Sequence, residues 1–151
     1  MNPKERIVVD TNVLISRLLL PASVPGRASR QAVDTGQLVV SAATMEELAT
    51  VLGRRKFDPY LSIADRQEFI RLLGRIAEMI PIVRVVRACR GPRDDKFLEV
   101  AVNGRADLII PGDRDLLELN PFMDIAILSP VACVARWLLS EIAAGRGSGT
   151  V

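Results

Sequence analysis

The chain has 151 residues, of which 49% are hydrophobic and only 4% aromatic, and its 20 Lys and Arg against 18 Asp and Glu give a formal net charge of +2. That length suits one domain with an aliphatic core. The absence of histidine excludes Ser–His and Cys–His catalysis and imidazole-ligated zinc. Cys89 and Cys133 form no ligand-like pair, so we expect a reduced, cytoplasmic protein. No apolar run is long enough to predict a membrane span.

Short apolar segments alternate with segments of helical spacing. The pattern predicts five strands, over 6–9, 38–40, 82–86, 108–110 and 125–128. Between the first two strands it predicts helices over 12–20 and 27–35, and between the second and third a helix capped by Thr44 and ending near Gly53 and a helix from Ser62 to about Met79. The later helices run from Asp94 or Asp95 to Val102, over 116–117, and from Pro130 to about Ala144. This alternation predicts a parallel α/β sheet covered on both faces. We expect one domain, residues 1–144, and a disordered tail, residues 145–151.

Acidic residues gather where the predicted strands end. They are Asp10 after the first strand, Glu46 and Glu47 in the helix after the second, Asp94 and Asp95 after the third, and Asp113 and Asp115 after the fourth. Each alone has a structural interpretation, as a helix cap, a turn residue or a solvated side chain. Together they lie at the carboxyl edge of one parallel sheet, which is where ligands bind in such folds.

Clustered carboxylates repel one another, and proteins tolerate them mainly where a cation neutralises them. Oxygen-only ligands suit Mg²⁺ or Mn²⁺ rather than zinc. One such ion, or two, can activate water and stabilise an in-line displacement at a phosphodiester. This chemistry needs no histidine, which agrees with the composition.

Four segments in order resemble the PIN-domain nucleases, and most closely their VapC-like toxin branch. They are "VVDTNVLIS", "EEL", "RDDKFLEVA" and "LIIPGDRDLL", and "RRKF" also resembles that branch. The resemblance spans about residues 7–130. It implies a three-layer α/β/α fold with a central, mainly parallel five-stranded sheet. It also implies Mg²⁺- or Mn²⁺-dependent hydrolysis of RNA by a toxin of a toxin–antitoxin pair.

The resemblance carries over to individual positions. It implies four catalytic, metal-binding acids, which are Asp10, Glu47, Asp95 and Asp113. It gives supporting roles to Asn12, Thr11, Asp115 and Asp94. The apolar stripe of the third helix leaves Glu46 and Glu47 both open, although the motif favours Glu47. The family usually has Thr or Ser two residues before the fourth acid, where this chain has Pro111 and therefore lacks a hydroxyl and a backbone donor.

An RNA substrate needs positive charge around the acidic residues. Candidates for RNA binding are Arg93, Lys96, Arg114 and Arg54, although any one of them fits an ordinary solvated side chain equally well. The resemblance implies a small antitoxin partner and a homodimer. The alternative function is a catalytically weak or inactive PIN-like module that binds RNA or a protein. An aspartyl-phosphate phosphatase is disfavoured because Asn12 stands where a second Asp is needed.

Overall fold

A computed structural model describes residues 4–88 and 92–147. The strands are β1 Arg6–Val9, β2 Gln37–Val40, β3 Glu78–Met79, β4 Leu108–Ile110 and β5 Ala126–Ile127. They form one sheet in the spatial order β3-β2-β1-β4-β5, and every pairing is parallel. The predicted parallel, five-stranded α/β sheet is therefore confirmed.

Within the described residues, seven α-helices connect and cover the strands. They are α1 Thr11–Leu19, α2 Val24–Thr35, α3 Ala42–Leu52, α4 Ile63–Ile76, α5 Asp95–Asn103, α6 Arg114–Leu117 and α7 Pro130–Gly147. Short 3₁₀ turns occupy Arg55–Phe57 and Pro92–Asp94. α3 begins earlier than predicted, because Ser41 caps it and forms a reciprocal capping box with Thr44. α2 also begins early, because Ser23 accepts a hydrogen bond from Gly26 N at 3.1 Å.

The sheet separates two apolar layers. Alternate strand residues point to opposite faces, so Ile7 and Val9 pack on one side and Val8 on the other. The first side is covered by α1, α2, α3, α4 and α7, and the second by α5 and α6. The three-layer α/β/α arrangement implied by the resemblance is therefore confirmed.

The third strand lies earlier than predicted, and the predicted strand over 82–86 is wrong. Glu78 and Met79 pair with β2, and Ile80 N donates to Val40 O at 2.7 Å before Pro81 interrupts the ladder. Beyond the proline, side chains bind the backbone. Asn103 Oδ1 accepts from the amides of residues 83 and 84, and Glu99 Oε2 accepts from Val86 N.

The last helix also differs from its predicted extent. α7 continues to Gly147 rather than ending near Ala144, and residues 148–151 of the predicted tail lie outside the described residues. Among residues 4–88 and 92–147, no helix combines the length and the apolar character needed to span a membrane.

Arg66 of α4 links this helix to the end of α3 through hydrogen bonds. Its guanidinium donates to Leu52 O at 3.1 Å, to Leu61 O at 2.8 Å and to Asp58 Oδ1 at 2.9 Å, and its side chain is 9% exposed. The carbonyl of Leu52 ends α3, the helix that carries Glu47. A buried cation therefore satisfies carbonyls that the fold leaves without backbone donors.

Replacing Arg66 with Met should lower the free energy of unfolding by about 2–4 kcal/mol, because two buried carbonyls lose their donor. For a chain of this size, the melting temperature should fall by roughly 5–10 °C. Thermal unfolding followed by circular dichroism measures the change. Arg71→Met is the matched control, because Arg71 is an exposed residue of the same helix. Equal, small changes in both variants would show that Arg66 has no special structural role.

Candidate metal centre

A crevice opens where the strand order reverses. The chain runs outward from β1 to β3 and then returns to place β4 on the other side of β1. Ligands bind at this position in open parallel α/β sheets, beyond the carboxyl ends of the strands. The crevice has a volume of about 640 Å³. Its charged lining residues are Asp10, Glu46, Glu47, Arg54, Arg93, Asp94, Lys96, Asp113 and Asp115.

Asp10 is the buried acid at the base of this crevice. Its backbone N–H continues the sheet by donating to Ile110 O at 3.0 Å. Its carboxylate is only 6% exposed and accepts from Gly112 N at 2.9 Å and from Asn12 N at 3.1 Å. Burial raises the pKa of Asp10, against the opposing effect of these two N–H donors. Asp10 is thus both the cap of α1 and an acid fixed inside the crevice.

Three carboxylates meet at the mouth of the crevice. Oxygens of Asp94, Asp113 and Asp115 all lie within 4.8 Å of one another. Asp113 caps α6 by accepting from Asp115 N at 2.9 Å, which fixes the two residues relative to each other. Desolvation, the negative charges of Asp113, Asp10 and Asp115, and a hydrogen bond with Asp113 raise the pKa of Asp94 to about 6. We refer to Asp94, Asp113 and Asp115 as the acidic triad.

Of the two adjacent acids before α5, Asp94 lines the crevice and the predicted Asp95 does not. Asp94 ends the 3₁₀ turn and lines the crevice, whereas Asp95 begins α5 and accepts from Ala88 N at 3.0 Å. Asp95 is outside the crevice lining. A change of one residue turns a side chain by about 100° around a helix. The 3₁₀ turn before α5 therefore selects Asp94, which the sequence analysis had given only a supporting role.

Glu47 faces the crevice through two defined contacts. The Thr11 hydroxyl donates to Glu47 Oε2 at 2.5 Å, and Lys96 Nζ donates to Glu47 Oε1 at 2.9 Å. Thr11 is buried, and the ion pair is about four-fifths buried. Glu46 also lines the crevice but is exposed. The structure therefore gives the Glu47 carboxylate defined partners on two other elements, Thr11 of α1 and Lys96 of α5.

The predicted RNA-binding residues divide into two groups. Arg54, Arg93 and Lys96 line the crevice, whereas Arg114 is exposed at the start of α6 and lies outside the lining. Asn12 lines the crevice as an exposed side chain. Its contact with Asp10 comes from its backbone N–H.

Gly112 belongs to the site, although the sequence analysis did not name it. A Cβ added there would lie 3.1 Å from Asp10 Oδ2, closer than most such contacts. Its missing side chain allows its N–H to reach the Asp10 carboxylate. Its position between a buried strand and Asp113 is the sequence signal that marks it.

The donor set of the acidic triad fits a hard divalent cation. All three donors are carboxylate oxygens close enough to share one ion, and the described residues contribute no histidine or cysteine to the group. Mg²⁺ and Mn²⁺ prefer such oxygen ligands. The acidic triad can therefore hold a metal, with the buried Asp10 carboxylate beside it.

Comparison with known proteins agrees with this combination of a parallel α/β fold and an acidic crevice. The PIN-domain family model matches residues 6–115. The uncharacterized protein MJ1680 of Methanocaldococcus jannaschii is 30% identical over 122 residues, which cover 78% of this chain and 76% of that protein. A chain in the crystal structure of VapBC2 from Rickettsia felis bound to a promoter DNA fragment is similar in fold, with a TM-score of 0.55 at 9% identity. That match covers 82% of this chain and 98% of the other.

The fold and the site together define an α/β domain with an acidic crevice at the point where the order of the strands reverses. The family match extends from the start of β1 into α6 and includes Asp10, Glu47, Asp94 and Asp113. The chain belongs to the PIN-domain family.

Asp94→Asn should make the metal-free protein more stable at pH 7.5, because it removes a charge that the fold disfavours. The raised pKa means that protonation of Asp94 stabilises the fold fully below pH 3.8, and that this contribution is lost as the pH rises through about 6. The gain should be on the order of 1 kcal/mol after allowance for solvent screening, and smaller at pH 5. Thermal unfolding with a chelator at both pH values measures it. The same gain in Asp95→Asn would contradict the assignment of Asp94.

Proposed function

We propose that the protein is a Mg²⁺- or Mn²⁺-dependent endoribonuclease that hydrolyses RNA phosphodiester bonds. The observation that carries the proposal is the convergence of the acidic triad with Asp10 and Glu47 in one crevice of a PIN domain. PIN domains are generally nucleases, which supports a hydrolase. The all-oxygen site and the absence of histidine in the chain favour hydrolysis assisted by a hard cation over imidazole chemistry.

In this proposal, Asp94, Asp113 and Asp115 hold the cation and Asp10 adds charge from the buried side. A cation held by these three residues would supply Lewis-acid polarisation of a phosphoryl oxygen and would favour ionisation of the attacking water. Gly112 and Asn12 hold the Asp10 carboxylate in one orientation through their backbone N–H groups. Because these donors belong to the sheet edge and to α1, they need no rearrangement when substrate arrives.

Arg54 and Arg93 are the cations that we propose for binding the RNA backbone. Both are exposed and line the crevice, so they can reach phosphates on either side of the acidic residues. Arg114 lies outside the lining and serves at most as a peripheral contact. The low aromatic content, 4%, leaves few side chains for base stacking, so we propose that RNA shape contributes most of the selectivity.

We further propose that the protein is the toxin of a toxin–antitoxin pair, acts in the cytoplasm and forms a homodimer. The similarity in fold to a chain of the VapBC2 complex supports a small antitoxin as partner. An antitoxin that inserts a basic side chain among the crevice carboxylates fits their surplus of negative charge.

Mg²⁺ or Mn²⁺ should raise the melting temperature, because the ion binds only the folded state. At about 100 times the dissociation constant, the gain is about 2.7 kcal/mol, or roughly 5–10 °C. Asp94→Asn should remove most of this rise, and Asp95→Asn should retain it. The two residues are adjacent and chemically identical, so the pair is a matched comparison. A melting curve of the wild type that is insensitive to metal would exclude a metal site.

Wild-type protein with Mn²⁺ should cleave members of a panel of single-stranded and structured RNAs, and a chelator should stop the reaction. Asp10→Asn and Asp113→Asn should each reduce the rate by about 100-fold or more, because each removes charge from the centre. Asp34→Asn is the control, since Asp34 pairs with Arg30 on the exposed surface of α2. Cleavage that persists in the Asp10 and Asp113 variants would assign the activity to a contaminating nuclease.

A second candidate function is an RNA-binding or protein-binding module with weak or no catalysis. Pro111 favours it, because this buried residue carries no hydroxyl beside the acidic triad. RNA binding without cleavage by the wild type would support this function. Increased cleavage by Pro111→Ser would instead show that the missing hydroxyl limits a working enzyme.

A further inference from the structure

The ion pair between Glu47 and Lys96 separates one acid of the crevice from the others. Within the described residues, the group of carboxylates close enough to share an ion consists of Asp94, Asp113 and Asp115, and Glu47 is outside it. Both oxygens of Glu47 already have donors, namely the Thr11 hydroxyl and the Lys96 ammonium. The pair is largely shielded from water, with side-chain exposures of 20% for Glu47 and 24% for Lys96.

The position of Lys96 follows from the start of α5. Asp94 precedes this helix and reaches the acidic triad, and Lys96, two residues later, crosses the crevice to α3. One short segment therefore supplies both an acid for the proposed metal and a cation for Glu47. A lysine that only screened solvent-exposed charge would gain little from being held in a largely buried pair.

The charges of the crevice show what this lysine changes. Six carboxylates line it, which are Asp10, Glu46, Glu47, Asp94, Asp113 and Asp115, together with three cationic side chains, Arg54, Arg93 and Lys96. The surplus is therefore three negative charges. One divalent ion would neutralise two of them, and two divalent ions would bring four positive charges, one more than the surplus. Without Lys96 the surplus is four, which two divalent ions match, and Glu47 is left as a mostly buried carboxylate with the neutral Thr11 hydroxyl as its donor and no counter-charge at Oε1.

We propose that Lys96 is a built-in counter-ion that takes the place of a second metal at Glu47, so that this protein binds a single divalent ion, on the acidic triad. The proposal rests on the proposed function, because it presumes that the acidic triad binds metal. Lys96 is a positioning residue here: it fixes the Glu47 carboxylate and satisfies its charge. Two-metal sites place their ions roughly 4 Å apart, and at Glu47 the Lys96 ammonium, 2.9 Å from Oε1, supplies the positive charge that a second ion would bring.

Titration of the full-length protein with Mn²⁺, with free ion followed by electron paramagnetic resonance, tests this proposal. The wild type should bind one equivalent, and Lys96→Met should bind two at the same free Mn²⁺ concentration. Lys96→Arg keeps the charge and should bind one. Lys96→Met combined with Glu47→Gln should return to one, because the acid that attracts the second ion is gone. A structural loss of packing at position 96 predicts no such rescue.

Circular dichroism establishes that each variant folds, and Lys96→Gln replaces Lys96→Met if the latter does not. Two equivalents in the wild type, or one in both neutral variants at position 96, would overturn the proposal. If the wild type binds one ion and cleaves RNA while the neutral variants also bind one, the counter-ion role fails and the proposed function stands. If the wild type binds none, both fail together.

Discussion

The parallel pairing of β1 with β4 at the centre of the sheet is the constraint on which the site depends. Asp10 follows β1, and Gly112 and Asp113 follow β4, so the ladder brings residues a hundred positions apart to one edge. The hydrogen bonds from Asp10 N to Ile110 O and from Gly112 N to the Asp10 carboxylate extend this pairing past the strands. Apart from Arg6, the residues of β1 and β4 are buried and aliphatic, so core packing holds the acids together despite their repulsion.

The protein relieves that repulsion with its own donors at two places in the crevice, Asp10 and Glu47. Backbone N–H groups compensate the buried Asp10. A threonine hydroxyl and a lysine ammonium compensate Glu47. Among the described residues, neither kind of donor reaches the Asp94 carboxylate, and desolvation together with the neighbouring acids raises its pKa to about 6. Asp94 is therefore the acid of the crevice at which an external cation would gain most.

The sequence predicted the sheet and the acidic edge because both follow from repeated patterns. Strands buried on both faces read as apolar runs, and acids at their ends need no tertiary information to be seen. The strand over 82–86 was predicted wrongly because an apolar, β-branched run is typical of a strand. The sequence does not show that the backbone amides of this run instead donate to the side chains of Asn103 and Glu99. Which of Asp94 and Asp95 lines the crevice could not be predicted for a similar reason, since the 3₁₀ turn that orients them left no distinct pattern.

The rotation of α3 about its axis decides which of Glu46 and Glu47 turns toward the buried Thr11, a choice that the apolar periodicity of the helix left open. Ser41 and Thr44 fix the first turn, and Leu48 and Leu52 then point into the core. With those positions set, Glu47 falls on the flank of the helix next to the buried Thr11, where its carboxylate has a donor. Glu46 lies one position back, still on the crevice but exposed. The apolar stripe alone allowed either glutamate, and it was the hydroxyl of Thr11 and the ammonium of Lys96, on two other elements, that gave one of them a defined orientation.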